Sequence, residues 1–229
     1  MSAVIGRATR RRLVANVMLG LCFLALGIAL VVLVAVLGYV MIQGVTSLNL
    51  EFFTNTPKPV GETGGGVANA IVGTLIIVAI AMLVGIPLGI GSGIYLAEFG
   101  RGRFATLVRF TADVLTGIPS ITIGLFAYTL VVLPLQTFSA IAGGFALGII
   151  MLPILTRTTE EMVRLVPSSL REGCMALGVP RWRVVLSVIL PTALGGIATG
   201  VVLAVARVAG ETAPLLFTAF GNQFWSWSI

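Results

Sequence analysis

The sequence contains no histidine, one lysine and two cysteines in 229 residues, and only 10% of its residues are charged. Without histidine there is no imidazole for a Ser-His or Cys-His nucleophile pair, and the usual imidazole metal sites are excluded. Cys22 lies inside a long apolar run and Cys174 in a polar segment. They therefore sit at different depths and out of reach of each other, and neither a disulfide nor a metal is assigned. The one lysine, Lys58, follows Asn55-Thr56-Pro57 and belongs to no Gly-x4-Gly-Lys-Ser/Thr loop, so a conventional phosphate-cradling ATPase site is absent. Catalysis by this chain is not expected.

What remains is apolar. Hydrophobic residues make up 58% of the chain and the mean hydropathy is +1.10. A soluble domain carries about 25% charged residues, so this chain cannot cover a water-facing surface and lipid must cover most of it. A helix needs roughly 20 apolar residues to cross a bilayer core. Five segments qualify, at about 13–42, 68–96, 110–133, 139–156 and 185–208. The stretches Leu13–Leu50 and Val67–Ala97 contain no charge at all. Such continuous runs indicate helices, because barrel strands alternate over about 10 residues. The first run is too long for a signal-peptide core and lacks a small-residue cleavage site, which makes it a retained helix.

The formal charge of +6 is distributed as in a membrane protein. Arg7, Arg10, Arg11 and Arg12 precede the first helix; Arg101, Arg103 and Arg109 lie between the second and third; Arg157, Arg164, Arg171, Arg181 and Arg183 lie between the fourth and fifth. Twelve of the fourteen basic residues thus occupy alternate connections, the positive-inside pattern. It puts the basic N-terminus (1–12) and the 157–184 loop in the cytoplasm and the 43–66 loop outside. Residues 13–229 then form a single transmembrane domain, with no interior boundary between independently folding units.

The 43–66 loop, with Pro57, Pro59 and the run Gly61-Glu62-Thr63-Gly64-Gly65-Gly66, reads as irregular. Gly85, Pro87, Gly89, Gly91 and Gly93 in the second helix, and Gly117 and Pro119 in the third, permit either close packing or a bend beside a pore. In the 157–184 segment, Arg157 with Glu161 and Glu160 with Arg164 stand four apart and pair along a helix leaving the membrane. Pro167 interrupts it. Ser169-Leu170-Arg171-Glu172 then fits a capping box, with Ser169 at the helix start and Glu172 bonding back. Gly178, in the left-handed conformation, and Pro180 end that helix. About eight residues, or 12 Å at 1.5 Å per residue, make a helix that is marginal in water alone. With Leu170, Met175, Ala176 and Leu177 it must dock, either on a loop of the same chain or on a partner.

One intramembrane charge stands out. Arg207 lies near the end of the fifth run, four residues before Glu211. A charge at the centre of a membrane helix costs about 2.5–3.5 kcal/mol, so it normally faces a cavity or a partner. The pair is either a structural ion pair near the interface, where arginine snorkels, or an anion-contacting guanidinium held by its glutamate. Arg109 and Asp113 share the spacing at the cytoplasmic start of the third helix and read as a solvated pair.

Glu172-Gly173-Cys174, then Gly178, Val188, Leu190 and Pro191, resemble the cytoplasmic loop of permeases of ATP-binding-cassette importers: Glu-Ala-Ala, three residues, Gly, nine residues, Ile, one residue, Leu-Pro. Gly173 and Cys174 replace the two alanines and Val188 the isoleucine. Within that superfamily the chain resembles the A-type permeases of phosphate-specific transporters. The resemblance rests on Gly64–Thr74, Tyr95-Leu96-Ala97-Glu98, Leu152–Glu160 and Ala206–Thr218. It covers most of the chain from about residue 60 onward.

The resemblance implies an all-α integral membrane protein, a polytopic helical bundle of the type I importer permease kind. Five membrane helices are visible, and a sixth is missing or truncated beyond the tail Phe217–Ile229 with Trp225 and Trp227. It also implies a homologous second permease, two ATP-binding-cassette ATPase subunits that bind ATP and Mg, and an external phosphate-binding protein; no cofactor belongs to this chain. The 170–178 helix becomes a coupling helix, with Ser169, Leu170, Glu172, Ala176, Leu177, Gly178 and Pro180 as ATPase-coupling residues. Arg207 and Glu211 become the candidate substrate pathway. The expected location is the bacterial cytoplasmic (inner) membrane, multi-pass, with the N-terminus inside. A permease for sulfate or molybdate, and a scaffold or channel coupled to no ATPase, are the competing readings.

Overall fold

The structure is a computed structural model that describes residues 2–59, 61–62 and 64–225, with the side chains of residues 2–9 and Ser47 excluded. Val60, Thr63, Trp227 and the side chain of Arg7 therefore lie outside the described residues. Every regular element among the described residues is helical.

Helix α1 (Ser2–Gly44) is 43 residues long, about 65 Å at 1.5 Å per residue. It begins well before the expected residue 13, because nothing in Arg7–Arg12 breaks a helix. From Arg10 to Gly44 it buries nothing against the rest of the chain. A helix apolar on every side is stable only in lipid or against other proteins. The 43–66 loop is more ordered than its glycines suggest. It contains α2 (Leu50–Thr54), capped by Asn49, whose side chain accepts from the Phe52 N–H at 2.8 Å. Gly66 runs against the C-terminal end of α2: a Cβ there would clash with the Asn55 carbonyl oxygen and lie 2.6 Å from that of Phe52.

Helix α3 (Ala68–Ile94) continues through a single π turn, Tyr95–Phe99. The expected third span is not one helix. Helix α4 (Arg103–Gly117) and α5 (Ser120–Ala127), the latter prolonged by a π turn and by α6 (Leu133–Leu135), meet at a bend of 107°. Proline pushes the residue before it out of the helical region, and Ile118 is extended at ψ 132°. Four helices among the described residues are long and apolar enough to cross a membrane, and the bent pair makes five if it is one span.

The centre of the bundle is α7 (Ala140–Arg164), which runs through the expected fourth span and eight residues beyond it. Helix α3 lies against it through glycines four residues apart. A Cβ at Gly85, Gly89 or Gly93 would come within 2.9, 2.5 and 2.6 Å of Met151, Leu155 and Thr159 side-chain atoms respectively. That spacing lets two backbones approach, as in small-xxx-small membrane interfaces. Packing is therefore what these three glycines do, whereas Gly91 faces open space. After α8 (Ser168–Ala176), the chain re-enters the bundle as α9 (Arg181–Val184), a π turn and α10 (Leu190–Ala209), followed by α11 (Leu215–Thr218). The other side of α7 meets α10, where a Cβ at Gly200 would lie 2.5 Å from the Thr158 methyl.

Candidate translocation and coupling sites

The bend at Ile118-Pro119 opens a cavity of about 190 Å³ between α4, α5, α7 and α10. Thr116, Ser120, Ile154, Arg207 and Glu211 help line it. Helix α5 is seated on the segment after α10: a Cβ at Gly124 would lie 2.6 Å from the Pro214 Cα. That contact brings the α5 start and the Arg207-to-Pro214 segment to one place. Helix α10 ends at Ala209, with Gly210 in helical geometry at φ −90°, so Arg207 and Glu211 still face each other. Their closest approach is 4.0 Å, with side chains 56% and 19% exposed. Arg207 thus lines the cavity with its side chain more than half exposed, and a planar fork of N–H groups suits a tetrahedral oxyanion.

Beyond the C-terminal end of α7, α8 has no buried residue, and Leu170, Met175 and Leu177 are exposed. Gly178 has φ +79°, and its N–H bonds Met175 O while the Val179 N–H bonds Cys174 O. This is the left-handed terminus expected from the sequence, with the paired hydrogen bonds of a Schellman motif. The capping box is not formed. The helix starts at Ser168 behind Pro167 at φ −54°, ψ 137°, with no side-chain cap. Ser169 is therefore already inside the first turn, where its hydroxyl cannot reach a free N–H two or three residues on, and Glu172 has no cap residue to bond back to.

The charged residues form two buried clusters that differ from the expected pairs. Glu160 on α7, its side chain 3% exposed, is approached by Arg109 at 2.7 Å, Arg157 at 3.3 Å and Arg164 at 2.6 Å. The Glu160–Arg164 pair was expected. Arg109 does not pair with Asp113; it crosses to Glu160 and to the Leu96 carbonyl at 2.8 Å. Arg157 turns from Glu161 to Asp113 on α4, with Nε to Oδ1 at 2.9 Å. A buried carboxylate costs more to leave unpaired than an exposed one, so Arg109 and Arg164 converge on Glu160, while Arg157 divides between Glu160 and the exposed Asp113.

The second cluster was not found from the sequence. Glu98, in the π turn after α3, has a side chain 3% exposed and receives Arg171 Nε of α8 at 2.8 Å, with Arg181 3.9 Å away. It closes one side of a pocket of about 230 Å³ lined also by Arg101, Glu172 and Met175. The signal in the sequence is a lone carboxylate at the end of a 35-residue uncharged run (63–97), but nothing there names its partners, which are 73 and 83 positions away.

Residues 85–229 match the family model described as the binding-protein-dependent transport system inner membrane component. The protein named phosphate transport system permease protein PstA of Yersinia pestis is 50% identical over 185 residues, which is 80% of this chain and 63% of that protein. Its namesake in Haemophilus influenzae is 46% identical over 93% of this chain and 76% of its own length. The chain belongs to this permease family. It spans 63% to 76% of the length of these two relatives. Among solved structures, an inward-facing MetNI methionine ABC transporter matches with a TM-score of 0.56 at 20% identity, covering 69% of this chain and 74% of that one. At that identity the match shows the fold alone: a helical bundle of the type I importer permease kind. As a member of the family, the chain is a multi-pass inner-membrane protein.

Proposed function

We propose that this chain lines part of the transmembrane route for inorganic phosphate in an ATP-driven importer. The carrying observation is the half-exposed Arg207 guanidinium opening on the cavity at the α4–α5 bend, with the Thr116 and Ser120 side chains in the same wall. Arg207 contacts the anion in transit, and Glu211 orients it. The resemblance of the chain to phosphate transport permeases favours phosphate over sulfate or molybdate, which the arginine alone does not distinguish.

Hydrolysis of ATP belongs to two separate ATPase subunits. A homologous second permease completes the pathway and an external binding protein delivers the anion. Helix α8 seats on an ATPase subunit through its exposed Leu170, Ala176 and Leu177, with Glu172, Gly178 and Pro180 shaping its ends. The charge distribution favours a cytoplasmic N-terminus and an external 43–66 loop. Uptake of labelled phosphate into vesicles containing the reconstituted transporter, competed with sulfate and arsenate, tests this. ATP-dependent uptake that arsenate competes with and sulfate does not is expected. Uptake displaced best by sulfate overturns the substrate assignment, and uptake without ATP dependence overturns the class.

A further inference from the structure

Helix α8 is a poorly anchored element for one that must transmit force. None of its residues is buried, and its apolar attachment among the described residues runs through the half-buried Cys174 and the following Val179, which pack against the core cluster that contains Val163, Val166 and Val184. A nine-residue helix is not stable by propensity, so its position depends on tertiary contacts.

The strongest of those contacts are polar and meet at Glu98. Among the described residues, Arg171 is the α8 side chain that hydrogen-bonds into the bundle, and it makes three such bonds. Its Nε donates to Glu98 Oε1 at 2.8 Å, its Nη1 to the Val166 carbonyl at 2.5 Å and its Nη2 to the Val163 carbonyl at 2.6 Å. The last two close off carbonyls at the C-terminal end of α7, where a cation is also favoured by the helix dipole. Arg181, at the start of the helix that follows, donates to the Glu98 backbone carbonyl and lies over the Phe99 ring, 5.1 Å from its centroid. One buried carboxylate and two guanidiniums therefore join four elements: the end of α3, the end of α7, α8 and α9. Glu98 sits where α3 passes into a π turn, a local irregularity common at functional positions in helices.

We propose that Glu98 is the positioning residue for coupling: through Arg171 and Arg181 it makes α8 move as one body with α3, so that a displacement of α8 by the ATPases reaches the membrane helices. This inference rests on the reading of α8 as the ATPase-docking helix. Glu98 touches neither anion nor nucleotide; it acts through the two arginines. Losing it leaves α8 folded by its Gly178 terminus but free to shift relative to α3.

The experiment uses the complete transporter in vesicles, with wild type, Glu98→Gln and Arg171→Lys compared. Glu98→Gln is expected to leave basal ATP hydrolysis unchanged while phosphate transported per ATP falls about tenfold, within the usual range of coupling between sites. A packing defect instead lowers the amount of complex, with hydrolysis and transport falling in proportion, and that proportional fall overturns the proposal. If Glu98→Gln does not accumulate in the membrane, Arg171→Lys decides: it keeps a charge beside Glu98 but cannot hold the fork to two carbonyls. Loss of the transport-to-hydrolysis ratio supports the proposal, and a wild-type ratio refutes it. A substrate-free arm separates this inference from the functional reading. Spin labels at Leu88→Cys and Leu177→Cys, with Cys22 and Cys174 replaced by Ala, report the α3–α8 distance. The distribution is expected to be narrow in the Glu98 protein and broad in Glu98→Gln, whatever anion is carried. Equal widths overturn the lock. Absence of phosphate uptake in the wild type overturns only the substrate assignment.

Discussion

Arg109 on α4 and Glu160 on α7 stand 51 positions apart and meet at 2.7 Å, Nε donating to Oε1. The same guanidinium also holds the Leu96 carbonyl in the turn after α3, so one side chain ties three elements together at one end of the bundle. Arg157 and Arg164 approach the same carboxylate, and Glu160 is the acceptor that keeps three like charges together.

Glu160→Gln is therefore expected to destabilise the fold. Removing one partner of a buried charge pair costs about 3–5 kcal/mol, and the lower end applies because Arg157 and Arg164 are partly solvated. A lowered midpoint of thermal unfolding in detergent is the measurement. An unchanged midpoint would show that the arginines are solvated without Glu160.

The α3–α7 contact gives a contrast between two glycines two residues apart. Gly89→Val puts a Cβ 2.5 Å from the Leu155 Cβ, and the helices must separate, at a cost of about 1–3 kcal/mol or more. Gly91→Ala meets nothing within 4 Å and should be tolerated. The yield of folded protein in the membrane and its thermal midpoint should drop for the first variant only. Equal effects at both positions would remove the packing argument.

The spans were legible because a long uncharged run has one solution in lipid, a hydrogen-bonded helix. The α4–α5 bend was legible only as one of two readings of Gly117 and Pro119: apolar composition continues across Ile118-Pro119, so hydropathy registers one run where the backbone turns. Gly178 was legible because a left-handed terminus has a local chemical signature. The capping box failed because Pro167 supplied the extended geometry before α8 and moved the start to Ser168. The buried clusters at Glu98 and Glu160 were hidden for a different reason. Four-residue spacing finds partners on the same helix, and Arg109, Arg157 and Arg171 found theirs on other helices.

The terminus of α8 offers a coupling test that leaves the buried clusters intact. Gly178→Val places a β-branched residue at φ +79°, which L side chains rarely adopt. A shift of α8 and loss of substrate-stimulated ATP hydrolysis are expected, with the permease pair still assembled. Wild-type hydrolysis and uptake would reduce this segment to a connector.

Orientation is testable on exposed positions. A cysteine at Leu50, which is 80% exposed, should react with an impermeant reagent from outside intact cells. A cysteine at Leu177, 84% exposed, should react only after the membrane is opened. Labelling of position 177 from outside would overturn the orientation argued from the basic residues.

The final prediction separates the two roles of Arg207. Its side chain is 56% exposed and its approach to Glu211 is 4.0 Å, so the pair is worth about 0–1 kcal/mol to the fold. Replacing both charges, Arg207→Gln with Glu211→Gln, should therefore leave assembly and thermal midpoint close to wild type. If Arg207 contacts the anion in the cavity at the α4–α5 bend, the double variant folds but transports little phosphate. Arg207→Lys keeps the charge and loses the two-pronged donor geometry, so a partial defect is expected. Initial uptake rates at saturating ATP, compared at equal amounts of assembled transporter, measure all three proteins on one scale. A double-neutral variant that carries phosphate at the wild-type rate would take Arg207 out of the pathway and leave it a structural ion pair at the end of α10.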